Sequence, residues 1–320
     1  MQKKPRILVV GSFVMDVIAT TEQVPPSGQT VYGREFHMAP GGKGANQALQ
    51  CARLGADVTM MGCVGDDLFG EKLLETPKAA GVDVSRVIVR EGITSGVGHV
   101  TLEVTKHTAQ NRIIVISGAN LTLTLDEVSW IKDEISSYDM VLLQLEVPLE
   151  VNRAVARWAK EAGVPVMLNP APATELDDEL LSLVTYLGPN EQEASMETHL
   201  PLGSDENGPK KEDLQKIADA LWNKGVKNIV ITLGGSGSAV VGENSIRYIP
   251  CVEMPHVADP TGAGDSFCSG FLAGLSQGWD LLQCAKFANA VGTHCVMMPG
   301  ASSGIKSMPE ILKFMEEYED

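Results

Sequence analysis

Short apolar runs alternate with helix-like segments along most of this 320-residue chain. Runs of this length, bounded by turn residues, predict buried parallel strands. Five such strands are predicted, at residues 7–10, 58–61, 140–145, 166–168 and 229–232. Apolar residues at helical spacing predict helices at residues 45–54, 67–78, 125–135, 149–162, 211–222, 264–275 and 281–296. This alternation predicts an α/β fold with a doubly wound, mainly parallel sheet and helices on both faces.

Two stretches interrupt the alternation. Residues 30–38, and residues 98–105 followed by 112–116, alternate like strands but have no helix between them. They predict a small antiparallel β-sheet that projects from the main domain as a lid. We therefore assign residues 1–12, 41–95 and 117–320 to a main α/β domain and residues 13–40 and 96–116 to a lid subdomain. Because a small isolated sheet exposes an apolar face, we expect the lid to cover a ligand, a second subunit in a homodimer, or both.

The net charge and the cysteines limit the classes of partner. A net charge of −16 disfavours a nucleic-acid partner, since the phosphate backbone would be repelled. The apolar run at residues 7–10 is far too short for a signal sequence or a membrane span. The six cysteines show no C-x-x-C spacing, which is typical of buried thiols rather than of disulfides or zinc ligands. We therefore expect a cytoplasmic protein without a nucleic-acid or membrane partner.

A first glycine-rich motif, PGGKGANQA, occupies residues 40–48. It lacks the G-x-x-x-x-G-K-[ST] spacing of a Walker A loop. Its glycines open a predicted helix and let a ligand approach the backbone closely. Asn46, one turn into that helix, offers both a donor and an acceptor, as binding of a polyhydroxylated ligand requires. A glycine turn that packs the helix on the sheet, with Asn46 in solvent, explains this motif equally well when it is taken alone.

A second glycine-rich motif, DPTGAGDSF, occupies residues 259–267. Gly262 and Gly264 let backbone N–H groups turn inward together at the start of a predicted helix. Such a turn is an anion hole suited to a phosphoryl group. Asp265 places a carboxylate beside it, where it can accept a proton from an attacking hydroxyl. An N-cap aspartate after an ordinary glycine turn is the simpler interpretation of Asp265 alone, so the phosphate interpretation depends on the upstream motif.

Six motifs in order resemble those of the ribokinase-like family of carbohydrate and nucleoside kinases. They are GGKGANQA at 41–48, LLQLEVPLE at 142–150, NPAPA at 169–173, PNEQEA at 189–194, ITLGGSGS at 231–238 and DPTGAGDSF at 259–267. The resemblance extends over essentially the whole chain, from Val9 to Ala301. The two glycine motifs mark the family, and the four segments between them resemble its ribokinase branch.

The resemblance implies roles around the transferred group and the sugar. Asp265 resembles the catalytic base, and Gly262, Ala263 and Gly264 resemble the anion hole that stabilises the transferring phosphoryl group. The sugar-binding positions that it implies are Asp16, Gly42, Lys43, Asn46, Glu146 and Asp265.

The resemblance also implies ATP as co-substrate and two cations. The implied nucleotide-binding positions are Asn190, Thr232, Leu233, Gly234, Gly237 and Asn289, the last against adenine. Asn190 and Glu193 match an N-x-x-E motif that acts through water on Mg²⁺ and the phosphates. Asp259 and the carbonyl groups of Thr261 and Gly300 lie where the family binds an activating monovalent cation, usually K⁺.

Each of these polar residues also has an ordinary structural interpretation. Asp16 could be an exposed loop acid, and Glu146 could cap the helix that follows it. Asn190 and Glu193 could form a surface pair on a short helix. Asn289 could be an ordinary polar residue in an apolar helix. Their joint placement, rather than the chemistry of any one of them, indicates a site.

Two residues depart from the family pattern. Val14 stands where many ribokinases carry an asparagine that contacts sugar hydroxyls, and its side chain cannot form a hydrogen bond. Pro260 replaces a more usual threonine, which removes one N–H from the cation loop and fixes φ there. The first departure bears on the choice of sugar, whereas the second leaves the reaction class unchanged.

Taken together, these features lead us to expect ATP-dependent phosphorylation of D-ribose at its primary 5-hydroxyl, giving ribose 5-phosphate and ADP. One alternative is a kinase for 2-deoxyribose, for another sugar or for a nucleoside. A different class of protein, a sugar-binding regulator that has lost phosphoryl transfer, is a further alternative. The presence of Asp265 and both anion-hole glycines argues against that regulator.

Overall fold

The structure is a computed structural model that describes residues 4–105, 109–205, 208–242, 245–252, 257–298, 300–301 and 304–318. The strands are β1 (Arg6–Val10), β2 (Val14–Thr21), β3 (Glu35–Gly41), β4 (Asp57–Met61), β5 (Cys63–Gly65), β6 (Ile88–Arg90), β7 (Gly96–Val104), β8 (Ala109–Ile116), β9 (Met140–Leu143), β10 (Val166–Leu168), β11 (Tyr186–Leu187), β12 (Ser204–Asp205), β13 (Gly208–Pro209), β14 (Asn228–Thr232), β15 (Ser238–Gly242) and β16 (Ser245–Ile249). The helices are α1 (Lys43–Arg53), α2 (Leu68–Ala79), α3 (Leu125–Val128), α4 (Trp130–Glu134), α5 (Leu149–Ala162), α6 (Asp178–Leu183), α7 (Glu191–Thr198), α8 (Lys211–Asn223), α9 (Ala263–Ser276), α10 (Leu281–Cys295) and α11 (Met308–Glu317).

An eight-stranded sheet forms the centre of the molecule, in the order β16-β15-β14-β11-β10-β9-β1-β4. The pairs from β14 to β4 are parallel, and β15 and β16 add an antiparallel edge. All five strands predicted for this sheet are present, although the one predicted at 140–145 ends at Leu143. The predicted doubly wound, mainly parallel sheet is therefore confirmed.

Successive residues of each central strand enter different hydrophobic cores. In β1, Leu8 and Val10 face one core, whereas Ile7 and Val9 face the other. Helices α3 to α6 and α8 cover the first core, and α1, α2, α9 and α10 cover the second. Burial on both faces explains why these strands read as continuous apolar runs.

The lid is a separate four-stranded sheet in the order β3-β2-β7-β8. Its outer pairs, β2–β3 and β7–β8, are antiparallel, and its central pair, β2–β7, is parallel. The strand predicted at 30–38 is wrong at its start, because β3 begins at Glu35 and no strand covers 30–34. Pairing with β2, which the sequence pattern did not reveal, sets this boundary, since Glu35 lies opposite Thr20.

Other elements also differ from the sequence prediction. The helix predicted at 125–135 is two short helices, α3 and α4, interrupted at Ser129. Strands β2, β7 and β8 lie within the ranges assigned to the lid, whereas β3 runs through Gly41 into the range assigned to the main domain. Residues 106–108 of the second lid range lie outside the described residues. The proposed domain boundaries stay a prediction.

The cysteines agree with the prediction of buried thiols. All six cysteines are free, and all but the partly buried Cys251 are buried. Across the described ranges, no helix combines the length and the apolar character that crossing a membrane requires.

Candidate active site

The start of α1 is the point where the lid sheet meets the main domain. Only Gly42 separates the end of β3 from the beginning of α1. Gly42 has a φ of 95°, and a Cβ there would lie 2.6 Å from the backbone nitrogen of Val14. A Cβ on Gly44 would lie 2.5 Å from the backbone nitrogen of Ser12. These glycines therefore do pack α1 closely on the loop after β1, as the structural interpretation of the first motif required.

Asp265 is buried in the first turn of α9, and its carboxylate faces α1. Its Oδ2 accepts a 3.0 Å hydrogen bond from Nδ2 of Asn46, and its Oδ1 accepts one of 3.0 Å from Nε2 of Gln47. The N-cap of α9 is Gly262, so the interpretation of Asp265 as a cap is wrong. Asn46 is buried, so the interpretation that left it in solvent is also wrong. Asn46 and Asp265 are 219 residues apart in the sequence, and their hydrogen bond brings the two glycine motifs together.

The glycine turn before Asp265 forms the N-terminus of α9. Gly262 has a φ of 80°, and a Cβ there would lie 2.6 Å from Cβ of Ala301. Apart from its chain neighbours and the backbone of its own helix, no atom of the described residues lies within 4 Å of a Cβ built on Gly264, so this residue faces open space. The N–H of Ala263 donates to the carbonyl of Pro260 at 3.3 Å and closes the turn. A helix N-terminus with open space in front of it is suited to binding a phosphoryl group.

Asp16 and Glu146 lie near each other at the junction of the lid and the main domain. Asp16 is on strand β2, so it is not a loop acid. Gly98 lies opposite Asp16 on strand β7, and a Cβ there would lie 2.2 Å from Asp16 Oδ1. A larger residue at position 98 would therefore clash with the carboxylate. Burial, and then the charges of Glu146 and Asp259, raise the pKa of Asp16 to about 6.

Glu146 binds the N-terminus of α1 instead of capping the helix that follows it. Its Oε2 accepts hydrogen bonds from the Ser12 hydroxyl and, at 3.1 Å, from the backbone N–H of Lys43. The N-cap of α5 is Pro148, and no side chain caps that helix. The capping interpretation of Glu146 is therefore wrong.

Lys43 contributes a positively charged side chain to the site. Burial lowers the pKa of its ammonium, but the charges of Asp265, Glu146 and Glu193 outweigh this effect and raise the pKa above its ordinary value. Lys43 therefore stays charged at neutral pH and offsets part of the charge of these three carboxylates.

Asn190 and Glu193 form a capping box at the N-terminus of α7. The Glu193 carboxylate accepts from the backbone N–H and from Nδ2 of Asn190, at 2.8 and 2.9 Å, and Asn190 Oδ1 accepts from the backbone N–H of Glu193 at 2.8 Å. Asn190 is exposed but Glu193 is buried, so the pair is only partly at the surface. Burial raises its pKa, against the opposing effects of the Asn190 backbone N–H and the Lys43 charge.

A cavity of about 220 Å³ connects these groups. Seven of the predicted site residues line it: Lys43, Asn190, Glu193, Thr232, Gly262, Gly264 and Asp265. The structure therefore brings the glycine turn before α9, Asp265, Lys43 and the Asn190–Glu193 pair to one opening.

The segment from Thr232 to Gly237 lies beside the capping box. The backbone N–H of Thr232 donates to the carbonyl of Pro189 at 2.9 Å, which ties the end of β14 to the residue before Asn190. Gly234 and Gly237 have φ values of 53° and 97°, in the left-handed region that glycine favours. The side chain of Leu233 is buried in the core, so only its backbone is available to a ligand.

Asn289 is buried in α10 and supports a neighbouring loop. Its Nδ2 donates to the carbonyl groups of Ile249 and Pro250, at 2.9 and 3.2 Å. It does not line the cavity of the other site residues. The structure thus gives Asn289 a packing role at the end of β16.

Asp259 ties two loops together next to the anion turn. Its Oδ1 accepts from the backbone N–H of Thr261 at 2.9 Å, and its Oδ2 accepts from the backbone N–H of Gly300 at 2.8 Å. Burial by itself would raise the pKa of Asp259, but these hydrogen bonds hold it below its ordinary value. The thiol of Cys295 lies 3.7 Å from the carbonyl oxygen of Thr261.

Three buried amides around Asp265 were missed from the sequence. Gln47, Gln144 and Asn169 are all buried, and Gln47 bonds directly to Asp265. The available signal was a polar amide inside an otherwise apolar segment, such as Gln144 in the run LLQLE. A polar side chain in a buried strand needs a partner, so such a residue indicates an internal network.

Comparison with known proteins agrees with this geometry. Residues 4–308 match the model of the pfkB family of carbohydrate kinases. A ribokinase of Bacillus subtilis is 36% identical over 305 residues, covering 95% of this chain and 97% of that protein. A deoxyribokinase of Salmonella typhi is 30% identical over 311 residues, covering 97% of each chain. The structure of Arabidopsis thaliana ribokinase complexed with ribose and ATP superposes with a TM-score of 0.87 at 30% identity, covering 98% of this chain and 99% of that one.

These matches are nearly full-length in both directions, so they include both the lid and the main domain. They agree with the meeting of two glycine motifs at a buried carboxylate beside a helix N-terminus. The chain belongs to the pfkB family of carbohydrate kinases and is a sugar kinase.

Proposed function

We propose that the protein transfers the γ-phosphoryl group of ATP to the primary hydroxyl of D-ribose, giving ribose 5-phosphate and ADP. The observation that carries this proposal is the buried Asp265 carboxylate, which Asn46 and Gln47 hold beside the glycine turn of α9. Relatives named ribokinase that align over almost the whole chain support ribose as the acceptor. The related Arabidopsis thaliana structure contains ribose and ATP.

In this proposal the sugar lies between the lid sheet and the start of α1. Asp16, Asn46 and Glu146 supply carboxylate and amide groups there, which suits a ligand with several hydroxyls. Gly42 and the backbone of Lys43 allow the sugar to approach the chain closely. Asp265 orients the primary hydroxyl and accepts its proton as the hydroxyl oxygen attacks the phosphorus.

The transferred phosphoryl group lies in front of the α9 N-terminus. Gly262 and Gly264 line the cavity there, and the turn closed by Ala263 keeps the backbone in place. The Lys43 ammonium offsets charge that accumulates on the transferring group. Phosphoryl transfer depends mainly on positioning and charge stabilisation, which this arrangement supplies.

The remainder of the nucleotide lies along the turn that follows β14. Thr232 lines the cavity and Gly234 is exposed, whereas Gly237 is buried, with a Cβ there 2.1 Å from the carbonyl oxygen of Ile249. Leu233 contributes its backbone only, because its side chain is in the core. Asn289 acts through the loop at 249–250 that it supports.

Mg²⁺ is the proposed cation of the ATP phosphates, where it offsets their charge. Asn190 and Glu193 already bond to each other, so they fit contacts through water better than direct ligation. The described ranges contain no cluster of three or more His, Cys, Asp or Glu side chains that could hold a metal ion. Ligands supplied by phosphates and water are consistent with the chemistry of Mg²⁺.

K⁺ is the proposed activating cation beside Asp259. The oxygens there, the Asp259 carboxylate and the carbonyl groups of Thr261 and Gly300, are the kind that hard cations prefer. The hydrogen bonds to Asp259 favour its ionised form, which suits a cation. A cation at this loop would steady the turn that leads into Gly262.

2-Deoxyribose is a second candidate acceptor, and one observation favours it. Val14 is buried on β2, two residues before Asp16, and its side chain offers no hydrogen bond to a sugar hydroxyl. A relative named deoxyribokinase aligns over nearly the whole chain. Ribose remains the first candidate because Asp16, Asn46 and Glu146 are present to bind its hydroxyls.

A homodimer through the lid and a cytoplasmic location complete the proposal. Phe36 on β3 and Ile114 on β8 are 64% and 65% exposed, which supports a second chain packed on the lid sheet. Free cysteines are typical of a reducing compartment.

The test is a coupled ADP-release assay with ribose, 2-deoxyribose, fructose and adenosine, each with and without K⁺. We expect the highest kcat/KM for ribose, with activation by K⁺ that Asp259→Ala reduces. A higher kcat/KM for fructose or adenosine, or no ADP release above the sugar-free rate, would contradict the proposed reaction. Indifference to millimolar K⁺ would contradict the proposed cation site alone.

A further inference from the structure

A chain of buried amides leads from the main sheet to the carboxylate of Asp265. Gln144, just after β9, donates from Nε2 to Oε1 of Gln47 at 2.5 Å. Gln47 in turn donates from Nε2 to Oδ1 of Asp265 at 3.0 Å and to Oδ1 of Asn169 at 3.3 Å. Asn169 donates from Nδ2 to the carbonyl of Gly188 at 3.0 Å. Gln144 and Asn169 therefore both bond to Gln47, which in turn bonds to one oxygen of Asp265.

The direction of every hydrogen bond in this chain is fixed by its ends. The Gly188 carbonyl can only accept, so it faces the nitrogen of Asn169, and the Asn169 oxygen then faces Gln47. An ionised Asp265 can also only accept, so Gln47 directs its side-chain nitrogen toward Asp265. The oxygen of Gln47 consequently faces away from Asp265 and needs the donor that Gln144 supplies.

This arrangement leaves a polar group without a partner. Within the described part of the chain, Oε1 of Gln144 is buried and has no hydrogen-bond partner. A buried amide oxygen without a donor destabilises the folded protein. Packing alone therefore does not explain why residue 144 is a glutamine. Its hydrogen bond to Gln47, which fixes the orientation of the Gln47 amide, does explain it.

We propose that Gln47 is a positioning residue for phosphoryl transfer, which fixes the orientation of the Asp265 carboxylate while Gln144 fixes the orientation of Gln47. This inference rests on the proposed role of Asp265 as the base. Gln47 is 0% exposed, so it does not touch the sugar or ATP itself. Asn46 bonds to the other oxygen of the same carboxylate, and the two amides together determine its rotation.

The other ionisable groups near Asp265 come from several elements. Lys43 lies on α1, Glu193 on α7, Cys268 on α9 and Cys295 on α10, and each is electrostatically coupled to Asp265. Lys43 attracts the carboxylate, and Glu193 repels it. A neutral amide donor orients the carboxylate without adding a second positive charge that would weaken it as a base.

The test compares Gln47→Met with Gln50→Met, a matched substitution on the same helix. Gln50 is also buried, but its Nε2 donates to the carbonyl of Lys306 at 3.2 Å, away from the base. Because a misplaced reacting group costs about 10²-fold in rate, we expect kcat of Gln47→Met to fall about 10- to 100-fold. We expect the KM for the sugar to change little, because Gln47 does not contact it.

The pH–rate profile separates positioning from a general loss of stability. A carboxylate with one donor fewer holds its proton more tightly, so the acid limb of the Gln47→Met profile should move to higher pH. Gln50→Met should keep the wild-type acid limb even if its melting temperature falls by as much as that of Gln47→Met. If Gln47→Met does not fold, the double variant Gln47→Met/Gln144→Met removes both partners of their shared bond and should show the same shift.

The measurement uses whichever sugar the wild-type protein phosphorylates best. A different preferred sugar would therefore contradict ribose as the substrate and still allow Gln47 to be tested. An unchanged kcat and acid limb in folded Gln47→Met, or an equal shift in Gln50→Met, would overturn the positioning role. Failure of the wild type to phosphorylate any sugar would overturn both proposals.

Discussion

At the scale of single residues, the carboxylates of the site differ because their neighbours differ. Asp265 accepts from two neutral amides, whereas Glu193 is engaged by Asn190 in a capping box. Glu146 binds a backbone N–H and a hydroxyl at the start of α1. Asp16 is half-buried, and desolvation together with the charges of Glu146 and Asp259 raises its pKa to about 6. Similar side chains therefore have different surroundings, which fit the different roles proposed for them.

Replacing the base tests the proposed chemistry directly. Asp265→Asn keeps the shape of the side chain but cannot accept the proton of the attacking hydroxyl. We expect kcat to fall by roughly 10²–10⁴, the usual range for loss of a general base, while sugar affinity changes little. Steady-state kinetics and sugar binding by calorimetry measure the two effects. Near-normal turnover would remove Asp265 from the mechanism.

Val14 tests which sugar the site prefers. A site that hydrogen-bonds a hydroxyl strongly rejects an analogue without it, whereas an apolar wall discriminates by only about 1–3 kcal/mol. We therefore expect Val14→Asn to raise the ratio of kcat/KM for ribose to that for 2-deoxyribose. Competition between the two sugars measures this ratio, and Val17→Asn, farther along β2, is the control. An unchanged ratio would mean that Val14 belongs only to the core of the lid.

The residues of the site could be predicted from the sequence where a motif concentrates them. Asn46 and Asp265 were identified because each follows closely spaced glycines. Gln47 was not, because its role depends on contacts with Gln144 and Asn169 that only the packed fold creates. Spacing along the chain reveals local turns but not the partner of a buried amide 218 residues away.

At the scale of elements, helix α7 connects the proposed nucleotide site to a buried acid. The helix begins at the Asn190–Glu193 box, and Glu197 lies near its other end. Both carboxylate oxygens of Glu197 accept from the backbone N–H of Leu176, at 3.1 and 3.3 Å. Burial raises the pKa of Glu197 to about 7, although Lys224 and the Leu176 N–H oppose the shift.

This acid should make the stability of the fold depend on pH. Because its pKa is about 7 in the folded protein and the reference value is 4.5, the folded state binds the proton more tightly. Its stabilisation is present below about pH 4.5 and is lost as the pH rises through about 7. Glu197→Gln should therefore gain stability relative to wild type between pH 5 and pH 8, by at most about 3 kcal/mol.

Thermal unfolding of both proteins at several pH values measures this difference. Asp177, Glu127 and Asp259 have lowered pKa values and titrate below pH 5 to pH 8, the range of the test. They therefore do not contribute to the stability difference between Glu197→Gln and wild type in that range. Glu161→Gln, an exposed substitution on α5, is the control and should show no such change. A stability difference between Glu197→Gln and wild type that does not vary with pH would contradict the prediction.

The helices and strands could be predicted from the sequence where burial produces a clear apolar pattern. They could not be predicted where pairing with another strand sets the ends of the element. The central strands were found because burial on both faces requires apolar runs. In the lid, alternation alone placed a strand at 30–38, although Tyr32 is 99% exposed and β3 begins at Glu35. No strand was predicted at β2, although its valines, isoleucine and threonines favour one. Its position between β3 and β7 became evident only from the pairing in the structure.

At the scale of the whole molecule, the lid sheet is the part that a single chain leaves most exposed. All four residues from Ile113 to Ile116 on β8 are exposed, as are Phe36 and Met38 on β3. Successive residues of a strand point to opposite faces, so both faces of the lid are open in one chain. One face can close over the sugar while the other packs on a second chain.

A charge on the lid tests this assembly. Phe36→Asp would place a carboxylate in the proposed interface, where burial without a partner is costly. We expect this variant to shift the protein toward monomers in sedimentation velocity at micromolar concentration. Leu282→Asp, on the exposed surface of α10, is the control and should leave the assembly unchanged. A wild-type protein that sediments as a monomer would leave the lid without its proposed partner.

The single residue between β3 and α1 has a consequence for how such enzymes diversify. Gly42 is the boundary between strands that carry Asp16 and Val14 and a main domain that carries the phosphoryl-transfer groups. Val14 and Asp16 belong to neither central core, so point changes at these two positions leave the cores intact, whereas Met15 between them is part of the second core. On the proposed roles of Val14 and Asp16, selection can alter which sugar a lineage consumes through a few lid substitutions, while the proposed phosphoryl-transfer groups of the main domain are inherited unchanged.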